Sequence, residues 1–552
     1  MPAEFFCAHV WIGDGTGHFL AQVALQVARS PRKSLATAET GGTLHLSIVL
    51  ALSSVIRVCH RIQRPPDIRL RGDAVSLFYN GLTLKPTSWQ LTDQGGAMQA
   101  KTSKERGDRS ESHHAVAGDV DEPHGSEAPA EPDEAPAPWY KLMGPGLVTG
   151  AADDDPSGIV TYAQAGAQFG NGLLWSLLLS LPLMIAIQLV CARLGRISGS
   201  GIVANIRRHR SPRVAYGFVA LLVVANTLNI GADLAAMGDA LALVAGGHRW
   251  IYTLAFSGVS LCLQLFVPYR RYASYLRWLS VSLIVYVIAM FMLKVDWYDA
   301  AVSAVIPQLR FSHEYLMILV AVFGTTISPY LFVWQAASEV EEMEADRQAL
   351  PLRKAPEQAA MELRRINIDT VTGMVVSAGI AFCIMLTASY ALHAHGVVNI
   401  ESSVDAAKAL EPIAGKWAAL LFALGIIGTG LLAVPVLAGS VGYAAAEALR
   451  WRRSLEEKPL SAKHFYAVIA AAMVIGAALC FAPIEPARML VWSAVLNGIA
   501  AAPAMIMLQW MSRDARIVGA FAPSTVTHLL AWCATGVMWL TVIVLCVAAV
   551  LD

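Results

Sequence analysis

Three consecutive acids, Asp153, Asp154 and Asp155, run directly into Pro156, Ser157 and Gly158. In a soluble protein such a run is an ordinary surface loop. Here about ten mostly apolar or small residues lie on either side, each piece roughly half of a ~30 Å hydrocarbon core. Pro156 removes a backbone donor and disfavours helix at the residue before it, and Gly158 relaxes the chain further. Non-helical backbone and carboxylates at membrane depth survive only where they line a protein cavity or an ion path. Carboxylate, hydroxyl and carbonyl oxygens together suit a hard cation. Three acids at the end of a half-helix also oppose its dipole, a conflict that a bound cation removes. Adjacent helical positions diverge by about 100°, so the three cannot all point inward. Asp155, beside the proline, is the expected ligand, with Asp154 or Asp153 at the rim of an aqueous entry.

A second interruption falls at Gly324, Thr325, Thr326, Ser328 and Pro329, inside the apolar run 314–337. Pro156 and Pro329 lie 173 residues and five apolar segments apart. Two interrupted helices at matching places in two five-helix halves point to an inverted-repeat transporter with a midplane site. The plainer alternative is a proline kink in a packed helix, with Ser and Thr satisfying the freed carbonyls. In the transporter reading, Ser328 and the carbonyl of Thr325 face the first break. Asp233 and Asp239 lie in the otherwise apolar run 213–245, where a buried acid defaults to a functional reading and an acid at the membrane edge does not. Asn497 either bonds between helices or joins the site. His393 and His395 sit near the end of a segment and read as interface residues.

Composition supports the spans. The chain has 552 residues, of which 56% are hydrophobic and 15% charged, against about 25% charged in soluble domains. Mean hydropathy is +0.51. Eleven apolar segments follow Pro138, at about 143–168, 171–194, 213–245, 250–268, 273–294, 314–337, 365–392, 416–447, 464–483, 487–511 and 525–550. Alternate joints are basic: Arg196, Arg207, Arg208 and Arg210; Arg270 and Arg271; Arg347, Arg353, Lys354, Arg364 and Arg365; Arg450, Arg452, Arg453 and Lys458; Arg513 and Arg516. All five fall on one side if the N-terminus is cytoplasmic and the C-terminus outside. Lys+Arg and Asp+Glu balance at 41 each, which suggests no nucleic-acid partner. The eight cysteines form no CxxC pair and read as small buried hydrophobes.

Residues 1–137 differ from the rest. The apolar run 44–59 is short for a span and poorly placed for a signal peptide. Residues 99–138 are rich in Glu, Asp, Pro, Ala, Ser and His, a composition expected to stay disordered. His113 and His114 read there as part of a solvated linker. The ill-patterned opening suggests translation from Met98, which N-terminal sequencing of native protein tests.

These residues resemble the NRAMP family of divalent-metal transporters. The family's first-helix signature is GPG, eight residues, then DPGN. Gly144-Pro145-Gly146, eight residues, then Asp155-Pro156-Ser157-Gly158 has the same spacing. Gly324-Thr325-Thr326-Ile327-Ser328-Pro329-Tyr330 is similar to the family's sixth-helix run, and Asp233-Leu234-Ala235-Ala236 to its third-helix D-L-A-E. The resemblance covers roughly 138–550 and implies an all-α polytopic membrane protein of LeuT-type fold. Its architecture would be a 5+5 inverted repeat plus one helix, eleven in all, forming one transporter domain over 138–552.

The departures carry the finer expectation. The family's metal-binding Asp is Asp155, but its Asn falls on Gly158 and its Met on Ser328, while the carbonyl donors fall on Ala152 and Thr325. The implied metal set is therefore almost all oxygen, with Asp153, Asp154, Ser157, Tyr330, Asp233, Asp239 and Asn497 at the rim or along the path. The family's sixth-helix histidines fall on Tyr330 and Gln335, its third-helix Glu falls on Ala236, and the ninth segment has no matching Arg. This pattern is similar to the NRAMP-related magnesium transporters, and implies Mg²⁺ or Mn²⁺ as cargo with weak or no proton coupling. A proton-coupled Mn²⁺/Fe²⁺ importer is the alternative. An amino-acid or organic-solute carrier of the same fold is a third, disfavoured because a substrate carboxylate would meet the acidic run; a non-transporting sensor is the remotest. No Walker A, nucleophile elbow or HExxH pattern is present, so neither an enzyme nor a resident cofactor is expected. The expected setting is a bacterial plasma membrane and its lipid, with the oligomeric state left open.

Overall fold

The computed structural model describes residues 144–267, 283–346, 348–400, 403–408, 415–455, 459–481 and 484–551. The N-terminal extension, with the run 44–59, Met98, His113 and His114, lies outside the described residues, as do Arg270, Arg271, Arg347 and Lys458.

Every expected apolar segment is helical where it is described. The first is split into α1 (Pro145–Asp153) and α2 (Pro156–Phe169). Then follow α3 (Leu174–Ser198), the short α4 (Ile202–His209), α5 (Pro212–Ala245), α6 (Arg249–Phe266), α7 (Ile284–Met292) and the short α8 (Trp297–Val305). The sixth segment is split again, into α9 (His313–Thr326) and α10 (Pro329–Ala345). The chain continues through α11 (Ala359–Ala391), α12 (Ser403–Lys408), α13 (Ala418–Leu449), α14 (Lys463–Leu479), α15 (Pro486–Ser512), α16 (Ala515–Val518) and α17 (Thr525–Leu551). The architecture is two five-helix halves, each opened by a broken helix, plus one further helix. Proline at the first position of α2 and α10 explains both restarts, because its missing N–H costs nothing there.

The broken helices are clamped by close backbone crossings. A Cβ on Gly150 of α1 would stand 2.4 Å from the Gly373 carbonyl oxygen of α11. A Cβ on Gly324 of α9 would stand 2.1 Å from the Ala494 oxygen of α15. Small residues let helices approach where lipid gives no hydrophobic push between them. The basic joints that are described gather at one end of the bundle. The Leu352 amide donates to the Arg196 carbonyl at 3.3 Å, and the Arg353 side chain reaches the Arg516 carbonyl. Glu447 at the end of α13 pairs with Arg453 at 2.9 Å and accepts from the Ala204 amide at 3.0 Å. The described cysteines are all free; Cys191 and Cys383 are buried, whereas Cys262, Cys533 and Cys546 are exposed, contrary to the uniformly buried expectation.

Candidate cation site

Asp155 is the N-cap of α2. Its Oδ1 accepts from the Gly158 amide and from the Ser157 hydroxyl, both at 2.7 Å. The sequence expectation set all three acids against the negative end of α1. The structure instead places Asp155 at the positive end of α2, where a carboxylate is favoured. Its Oδ2 accepts from Asn229 Nδ2 at 3.0 Å, and Asn229 Oδ1 accepts from the Ser493 hydroxyl at 2.7 Å. The α15 hydroxyl thus fixes which way the α5 amide points.

Asp153 and Asp154 do not sit at a rim here. Both are at most 1% exposed and turn to α11, where the Ser377 hydroxyl donates to Asp153 and lies 3.5 Å from Asp154. Asp153 Oδ1 has no partner. The break therefore sends its acids two ways: Asp155 to α5, and Asp153 with Asp154 to α11.

The second break meets the first. The Tyr330 hydroxyl at the start of α10 donates to the Ala152 carbonyl at 3.0 Å. Ser328 donates back into α9, with its oxygen 2.6 Å from the Gly324 carbonyl and 2.9 Å from that of Thr325. The Ala152 and Thr325 carbonyls each already accept a hydroxyl and keep a second lone pair. Gly158 is pressed against α9: a Cβ there would stand 3.0 Å from Thr325 Oγ1 and 3.3 Å from the Asp153 carbonyl. A side chain there would require Thr325 to shift by a few tenths of an ångström.

Asp233 is fully buried; the Ser157 amide points at it from beyond good hydrogen-bond geometry, and it lies within electrostatic reach of Asp155. Asp239, half-buried, lies about 9 Å farther along α5 and is not drawn into this cluster. Asn497 is buried one turn beyond Ser493, and neither its oxygen nor its nitrogen has a partner, so the interhelical bond considered for it is not formed. His393 contacts the Ala167 carbonyl at 2.8 Å and packs beside Gly170.

Sequence reasoning missed Asn229, Ser493, Ser377 and Asp369. A signal existed for the first: Asn226, Asn229 and Asp233 follow i, i+3, i+7 spacing, one polar stripe on an apolar helix. Asn226 uses that stripe to reach Ser440 of α13 at 2.8 Å. Asp369 of α11 explains the GPG motif. Its carboxylate accepts from the amides of Gly144 at 2.9 Å, Gly146 at 2.6 Å and Leu147 at 3.0 Å, and Pro145 between them has no N–H to satisfy. One turn earlier Arg365 binds Glu339 at 2.6 Å, Glu362 at 3.0 Å and Glu342 at 3.3 Å. A cavity of about 260 Å³ opens there, lined by Arg196, Glu342, Asp346, Glu362 and Arg365 among others. Between it and the acids, Thr149 of α1 hydrogen-bonds Gln335 of α10.

Two broken helices meeting around buried carboxylates, in a chain of apolar helices, define a membrane transporter of the inverted-repeat class. The family profile described as natural resistance-associated macrophage protein-like matches residues 146–548, and the chain belongs to that family. The divalent metal cation transporter MntH of Acidiphilium cryptum is 26% identical over 409 residues, spanning 71% of this chain and 86% of the relative. MntH of Ralstonia nicotianae is 26% identical over 424 residues, spanning 72% and 90%. Among solved structures, the manganese transporter of Eremococcus coleocola superposes with a TM-score of 0.61 at 16% identity, covering 75% of this chain and 88% of that one. Its fold is the fold described above.

Proposed function

We propose that this chain is a divalent metal cation transporter that works by alternating access and favours Mg²⁺ and Mn²⁺, with weak or no proton coupling. The observation that carries the reading is Asp155: a buried carboxylate at the start of α2, held by Ser157, Gly158 and Asn229 with the Tyr330 hydroxyl within electrostatic reach. No Lys or Arg among the described residues pairs with it. Oxygen-only surroundings suit hard cations, which keep several waters and need few protein ligands. The described part of α14 carries no arginine, and Tyr330 and Gln335 stand where the family's histidines fall, so the usual proton route lacks its groups. The clustering of basic joints supports an N-terminus in the cytoplasm and a C-terminus outside the plasma membrane. The acid-lined cavity beside Arg365 would then be the cytoplasmic vestibule, closed from the site by the Thr149–Gln335 contact.

One observation favours the proton-coupled Mn²⁺/Fe²⁺ reading. Met237, one turn beyond Asp233, is buried against Gly430, and Pro156 borders the same glycine. A thioether brought in from α5 would restore a soft ligand. Competition for Mn²⁺ flux in proteoliposomes separates the two. The hard-cation reading predicts that excess Mg²⁺ lowers Mn²⁺ flux while Cd²⁺ has little effect. Block by Cd²⁺ with no effect of Mg²⁺ would overturn it.

A further inference from the structure

Asp155, Asp153 and Asp154 each hold a hydroxyl or amide near the break, whereas Asp233 is only approached by the Ser157 amide. Both of its carboxylate oxygens are fully buried and neither has a hydrogen-bond partner. A lone buried carboxylate costs several kcal/mol unless a counter-charge offsets it. The neighbouring helix supplies none. Where α14 crosses α5, it offers the Gly476 carbonyl, 2.8 Å from where a Gly231 Cβ would stand, and the Cys480 thiol, which donates to the Gly231 carbonyl at 3.1 Å.

What Asp233 does face is the break. Asn229, one turn earlier on the same side of α5, already reaches Asp155 Oδ2. Residues four apart stack on one helix face, so Asp233 presents to the same opening. It confronts the Ser157 amide and the Asp155 charge. Tyr330 lies within reach of both carboxylates, while its hydroxyl holds the Ala152 carbonyl. We infer that Asp233 is a second carboxylate ligand, so that the transported cation is held between α2 and α5 by Asp155 and Asp233 together. The inference rests on the reading of Asp155 as the cation site and adds a ligand from a third helix. Two carboxylates neutralise one divalent ion, and both are the oxygen type that hard cations take.

Calorimetric titration of the purified full chain with MnCl₂ tests it, alongside a thermal melt of each variant. Asp233→Asn removes an unpaired buried charge at constant shape, and is expected to weaken Mn²⁺ binding about tenfold or more, at least the loss that follows from removing a supporting partner of a ligand. Asp233→Cys is the second variant. A thiol that touches the ion recruits soft metals, so its Cd²⁺ affinity is expected to exceed that of Asp233→Asn by roughly tenfold. Wild-type Mn²⁺ affinity in Asp233→Asn, or equal Cd²⁺ affinity in the two variants, overturns the ligand role while leaving the Asp155 site intact. Undiminished binding in Asp155→Asn would instead overturn the site reading beneath it.

Discussion

Asp155→Ala reduces divalent cation flux to the level of empty liposomes. The substitution removes the carboxylate that organises the break. It is the N-cap of α2, the acceptor for Ser157, Gly158 and Asn229, and the acid beside Asp233. Loss of a cap costs about 1 kcal/mol, and removing a buried unpaired charge offsets part of it, so the protein is expected to fold. Binding is another matter, because no other carboxylate of the triplet turns to α5: Asp153 and Asp154 answer to Ser377 on α11. Flux of Mn²⁺ into proteoliposomes, with circular dichroism to confirm helix content, checks the expectation. Unchanged flux would refute Asp155 as the ligand. Asp155→Asn keeps an acceptor for Gly158 while deleting the charge, and is expected to lose flux as fully.

Asp369→Ala frees the first half-helix. Asp369 takes the three amides available at the start of α1, and nothing else among the hydrogen bonds of the described residues serves them. Hydrogen bonds to a charged group contribute about 1.5–3 kcal/mol each, though not additively. A loss of about 2–4 kcal/mol is therefore expected when the whole cap goes. The loss is local, because α1 is also held by the Gly150–Gly373 crossing. Hydrogen exchange is expected to quicken at Gly144, Gly146 and Leu147 while α11 stays protected. Uniform quickening across the bundle would show a global structural role instead. The position matters because α1 carries both the Asp153 end of the break and Thr149, which hydrogen-bonds Gln335 of α10.

The spans and both breaks were legible because they depend on local chemistry. Proline without an N–H, glycine, and acids inside apolar runs all interrupt a helix wherever it packs. The alternation of basic joints was legible for a similar reason, and the joints carrying Arg196, Leu352, Arg353 and Arg516 do meet at one end. Pairings between helices were not legible. Asn229 reaches Asp155 across 74 residues, and Asp369 reaches Gly144 across 225. Which polar residue meets which depends on crossing angle and depth, and the glycine contacts at 150, 324 and 373 set those. The helix dipole acts on Asp155 with the opposite sign to that expected, for a related reason. Asp155 was assigned to the helix it follows in sequence, whereas Pro156 makes it the cap of the helix that it precedes. The same geometry sets Gly158 closely against Thr325.

A divalent cation held at the α1–α2 break, on the carboxylate of Asp155, is open to direct observation. Crystals of the full chain grown with MnCl₂ and measured at the manganese absorption edge test it most directly. An anomalous peak is expected beside the Asp155 carboxylate, absent in Asp155→Ala. A peak only among Glu339, Glu342 and Glu362 beside Arg365, or one at the break that survives Asp155→Ala, would contradict it.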